Sequence, residues 1–73
     1  MTVPELIKTM RTRSGLSVNE LAARMGIGPN QIYSWETGKV MPGAEKLMAV
    51  ARATGYQLVF RQQGFRYMEE DDK

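Results

Sequence analysis

The chain has 73 residues, none of them cysteine or histidine. Without cysteine, no disulfide or thiolate metal site can staple a domain this small. Without histidine as well, zinc binding and most nucleophile–base catalysis lose their usual side chains. No acid–base pair falls in an evident pocket pattern, so an enzyme reading fails for want of parts, and no metal or cofactor is expected. No apolar run approaches the roughly 20 residues needed to cross a membrane. Residues 1–13 lack the long apolar stretch of a secretory signal. One domain is expected, made stable by tight helix packing or by a partner subunit. The lack of cysteine is compatible with a reducing cytoplasm.

Net charge is small, +2 overall, but the charges are unevenly placed. Residues 1–68 hold nine Lys or Arg against four Glu, a net +5, whereas residues 69–73 read Glu-Glu-Asp-Asp-Lys. A basic body with an acidic tail is compatible with a polyanionic partner.

Helix signals fill the first three-quarters of the sequence. Thr2-x-x-Glu5 is a capping box with Pro4 in the first turn, and Leu6, Ile7 and Met10 form one apolar stripe. This first helix is expected to end at Thr12 or Arg13, before Ser14-Gly15. Ser17-x-x-Glu20 is a second capping box, and Leu16 with Leu21 completes a hydrophobic staple for a helix over Val18–Met25. Gly26 suits a turn with positive φ. Gly28 and Pro29 open a third helix, with Ile27 and Ile32 repeating the staple, and the helix ends near Thr37-Gly38. Residues 39–43 connect to a fourth helix over Ala44–Thr54, with Leu47, Met48 and Ala51 facing inward and Gly55 as its stop. The period then changes. Tyr56–Arg61 reads as a strand, Gln62-Gln63-Gly64 as a turn and Phe65–Met68 as a return strand. The acidic tail is expected to be disordered.

The segment Leu16–Gly38 carries the function. Its apolar residues fall at Leu21, Met25, Ile27, Ile32 and Trp35, and the small Ala22 sits where two helices must cross closely. Asn30, Gln31, Tyr33 and Ser34 share the outer face of the second helix of the pair. A helix presented in this way fits the major groove of B-DNA.

Over residues 5–58 the chain resembles the Cro/CI-type (Xre) helix-turn-helix family. The resemblance rests on Arg11, Gly15-Leu16-Ser17, Glu20-Leu21-Ala22, Met25-Gly26-Ile27, Ile32 and Trp35-Glu36-x-Gly38-Lys39 with Pro42. The implied fold is mainly α, a four-helix lambda-repressor-like domain over residues 1–55. A C-terminal β-strand or hairpin over 56–68 and the tail over 69–73 follow it. Base contacts are expected from Pro29, Asn30, Gln31 and Ser34, and phosphate contacts from Ser17, Val18, Asn19, Tyr33, Thr37 and Lys39. Arg11 and Glu36 correspond to the family's structural ion pair. Two positions depart from the family pattern. Val18 stands where a phosphate-touching Gln is frequent, and Pro29 stands where a polar base reader is frequent and offers only apolar contact. Lys8, Arg13, Arg24 and Arg52 read as solvated surface.

A fifth helix follows the fourth in many repressors of this family, but the strand-like run stands there in this chain. Similar strands join two subunits in small antitoxin repressors, so Tyr56, Leu58, Val59 and Phe60 are candidate dimerisation residues. The other reading is a hairpin folded on its own domain. The leading functional expectation is a homodimeric, autoregulatory repressor on a palindromic operator, binding double-stranded DNA in the cytoplasm at the nucleoid. The alternative is an antitoxin that neutralises a partner toxin through the C-terminal segment, with DNA binding as autoregulation.

Overall fold

The computed structural model describes residues 1–61 and 64–69, and side chains as far as Val59. Four helices, α1 (Val3–Arg13), α2 (Val18–Met25), α3 (Pro29–Glu36) and α4 (Ala44–Thr54), are followed by the strands β1 (Tyr56–Arg61) and β2 (Gly64–Glu69). Both capping boxes form. The Thr2 hydroxyl accepts the Glu5 amide while the Glu5 carboxylate accepts the Thr2 amide, and Ser17 and Glu20 do the same at α2. These reciprocal bonds satisfy amides that have no carbonyl a turn behind them.

The chain reverses after α2 at Gly26, whose φ of 70° is open to glycine at no steric cost. The Ile27 amide reaches back to the Ala22 carbonyl at 3.0 Å, closing the wide turn that fixes the α2–α3 angle. Ala22 is 2% exposed, so the two helices cross where a larger side chain would hold them apart. The core joins Leu6, Ile7 and Met10 of α1 to Leu21 of α2, Ile32 and Trp35 of α3, and Leu47, Val50 and Ala51 of α4. Each of the fully buried Leu6, Ile7, Met10, Leu21, Ile32 and Val50 contributes about 1.5–3 kcal/mol by leaving water.

Met48 departs from the expected inward set. It stays 47% exposed, because Leu47, Val50, Ala51 and Thr54 already fill the inner face of α4.

Gly55, at φ 80°, ends α4 and turns the chain directly into β1. The two strands pair antiparallel, with Tyr56 opposite Glu69 and Arg61 opposite Gly64. Gly64 and Glu69 therefore belong to β2, not to the expected turn and tail. The rest of that turn, Gln62-Gln63, and the tail residues 70–73 lie outside the described residues. Tyr56 is buried against the helical core, and Leu58 packs partly on it. Among the described residues, no helix is long and apolar enough to cross a membrane.

The capping boxes give folding a pH dependence. The Ser17 backbone N–H, then its hydroxyl, hold the Glu20 carboxyl below its ordinary value, and Thr2 does the same for Glu5. A depressed folded-state pKa adds stability that is present above the unfolded value of about 4.3 and is lost as pH falls through the folded one. Glu20→Gln, which keeps an acceptor and removes the titration, should flatten the acid limb of a plot of melting temperature against pH. Superimposable acid limbs for variant and parent would contradict this assignment.

Candidate nucleic-acid interface

α3 is one helix with two unlike faces. Ile32 and Trp35 are buried, while Pro29, Asn30, Gln31 and Tyr33 are exposed and Ser34 is half-buried. At 3.6 residues per turn, Asn30 and Ser34 lie one turn apart on the side opposite that buried seam, and Gln31 and Tyr33 flank them. The outward line is thus a short row of amide and hydroxyl groups with no carboxylate in it. Such groups match base edges, since Asn and Gln bond adenine bidentately and Ser serves several bases.

A helix held only by its buried face could still roll. The end of α3 is fixed instead by Arg11, on the last turn of α1. Its Nε donates to Glu36 Oε2 at 2.7 Å and its Nη2 to Glu36 Oε1 at 3.0 Å, while Nη1 donates to the Leu16 carbonyl at 3.0 Å. The two side chains are 13% and 8% exposed. One guanidinium therefore ties together the exit of α1, the entry to α2 and the exit of α3. The hydrogen bonds to Glu36 raise the Arg11 pKa above its ordinary value, against the opposing effect of burial, and the fields of Glu36 and Tyr33 add to the rise. The pair also neutralises a carboxylate at the exit of α3, which would repel an anion brought to the helix's outer face.

The groups expected to hold phosphates are differently placed. Val18 and Asn19 open α2, where backbone amides face outward and the helix dipole is positive. The Val18 side chain itself is buried at 7% exposure, so it braces the core and leaves only its amide to an anion. Ser17 is engaged, with its amide donating to Glu20 Oε1 at 2.8 Å and its Oγ accepting the Glu20 amide at 3.0 Å. After α3, the Thr37 hydroxyl donates to the Tyr33 carbonyl at 2.8 Å and its amide donates to the same carbonyl at 2.9 Å. The Gly38 amide goes to Trp35 and the Val40 amide to Ser34. Internal bonds thus take up most donors of this loop, and Lys39, exposed, supplies its positive charge. Among the described residues, no three acidic side chains gather as a metal site would need.

Arg24 departs from the solvated surface expected of it. It is exposed, yet its Nη1 donates to the Ala53 carbonyl at 3.1 Å, joining α2 to the end of α4 across 29 residues. No local pattern signals that bond, because its acceptor is a backbone carbonyl whose position depends on the tertiary fold.

A short helix with a polar outward face, braced by a second helix at a glycine turn, defines a helix-turn-helix DNA-binding domain. A family model described as helix-turn-helix matches residues 7–60, well over half of the chain. The chain belongs to the Cro/CI-type helix-turn-helix family, and it is a DNA-binding transcriptional regulator. No curated protein and no solved structure matches it.

Two substitutions separate the roles of the surface. Asn30→Ala should cost about 1–3 kcal/mol on the preferred site and relax discrimination at one base pair. Lys39→Ala should weaken binding on all sequences alike and shallow the salt dependence by about one unit of slope. Titrations on specific and scrambled duplexes over a salt series check both. Uniform loss for Asn30→Ala would remove it from the base readers, and an unchanged slope for Lys39→Ala would remove it from the phosphate contacts.

Proposed function

We propose that the chain is a sequence-specific transcriptional repressor that acts as a homodimer on a palindromic operator, its own promoter included. The observation that supports this reading most is the fixed, carboxylate-free outer face of α3, held at its exit by Arg11 and Glu36. One such face reads only a few base pairs, so useful specificity needs two. Asn30, Gln31 and Ser34 would read base edges, with Pro29 offering apolar contact. Tyr33, Lys39 and the amides of Val18 and Asn19 would grip the backbone, which sets register without carrying sequence information.

The C-terminal strands favour a dimer. A two-stranded sheet leaves one edge of each strand unpaired, and such edges invite a second copy. Tyr56 and Leu58 turn toward their own helices, which leaves Val59, half-buried on the opposite face of β1, as the side chain to test against a partner. Phe60 belongs to the same strand. Val59→Lys should convert the dimer to a monomer by light scattering, with an unchanged helical spectrum. Operator affinity should then fall by about 10²–10⁴, the gain that linking two half-sites provides. A dimer that survives Val59→Lys would place the interface elsewhere.

The acidic run that begins at Glu69 favours a second reading, an antitoxin that neutralises a basic partner toxin through its C-terminal segment. Replacing Glu69, Glu70, Asp71 and Asp72 by Gln and Asn should then abolish capture of that partner while DNA binding persists. Neutralisation of the toxin at full strength by this variant would contradict the tail's role.

A further inference from the structure

We infer that Arg24 is a positioning residue that sets the angle between the hairpin and the helix-turn-helix, and through it the half-site spacing that the dimer accepts. The inference rests on the reading that the hairpin joins two copies.

The connection between the two parts is short. α4 ends at Thr54, β1 begins at Tyr56, and Gly55 is the single residue between them. Gly55 has φ 80°, in the region that glycine occupies freely, so the link is a natural pivot. The last carbonyls of α4 are divided among three donors. The Gly55 amide bonds those of Ala51 and Arg52, the Thr54 hydroxyl bonds those of Val50 and Ala51, and Arg24 bonds that of Ala53. Of these three, Arg24 alone belongs to another helix. It sits on the last turn of α2, so the helix that braces α3 also holds the pivot. A cation there also meets the negative end of the α4 dipole.

Burial of Tyr56 anchors the root of β1, and Leu58 adds partial cover two residues further on. Anchoring by apolar contact near one end resists lifting better than it resists swinging. The lever is long by comparison, because six residues of strand span about 20 Å. A swing of about 10° over that length moves the far end by about 3.4 Å, which is one base-pair step. A modest restraint at the pivot is therefore felt at the scale on which operator spacing is read.

The test measures affinity for palindromic duplexes whose half-site separation is varied one base pair at a time. Parent, Arg24→Met and Arg24→Lys proteins are compared, with mass by light scattering. The parent should be a dimer with a sharp optimum. Arg24→Met should remain a dimer but lose at least about fivefold of the preference for the best spacing over its neighbours, a flattening that costs the optimum more than the rest. Arg24→Lys, which keeps a charged donor, should recover part of it. Equal weakening at every spacing would show a merely structural role, and an unchanged profile would show no role; either overturns the inference while the dimer reading stands. A shallower salt slope for Arg24→Met on an isolated half-site would make Arg24 a phosphate contact and overturn it as well. A monomeric parent, or one without spacing preference, would contradict the dimer reading and the inference together.

Discussion

The Arg11 clamp is the constraint on which the interface depends. Burial of Ile32 and Trp35 decides which face of α3 turns inward, but apolar contact is not directional. Direction comes from a planar guanidinium that meets one carboxylate through two donors and a backbone carbonyl through a third. Both charged partners are nearly out of water. Losing one would leave the other part-buried with its hydrogen bonds unmade, a disruption of about 1–3 kcal/mol, which still counts against the small reserve of a domain of this size. A lysine at position 11 could not make the same fork. The same bonds neutralise Glu36, so orientation and compatibility with DNA come from one interaction.

Beside the clamp, two capping boxes determine where α1 and α2 start, and the turn at Gly26 determines where the chain reverses after α2. These are local devices, and they account for how much of the molecule was legible in the sequence. Thr2 with Glu5, Ser17 with Glu20, and Gly26 each specify their structure within a few residues, and the start of α1 and both ends of α2 follow from them. The Ile32–Trp35 seam was equally plain, because spacing alone assigns the two faces of a helix. The candidate site was legible to the same depth: the outer face of α3 follows from its seam, and the pairing of Arg11 with Glu36 was expected from the family pattern.

What the sequence concealed depends on competition between groups that meet only after folding. Met48 has the spacing of an inward residue, but smaller and better placed neighbours had already closed the inner face of α4. The amide and hydroxyl of Thr37 both turn to the Tyr33 carbonyl one turn back, a pairing that its place after the helix does not announce. Arg24 looked like any surface cation because its acceptor is a carbonyl 29 residues away. Alternation over residues 56–60 puts Tyr56, Leu58 and Phe60 on one face of a strand and Val59 on the other, but it does not say what covers the first face; the fold packs Tyr56 and Leu58 on the chain's own core. A hairpin that is marginal by itself is thereby held by the helices it follows.

The most direct measurement is an in vitro selection of random duplex DNA by the purified protein at physiological salt. A dimer that sets two copies of α3 in successive major grooves requires an enriched palindrome whose half-sites lie about one helical turn apart, and this is the expected result. Recovery of sequences without any shared motif, held only by salt-sensitive attraction to the backbone, would contradict it.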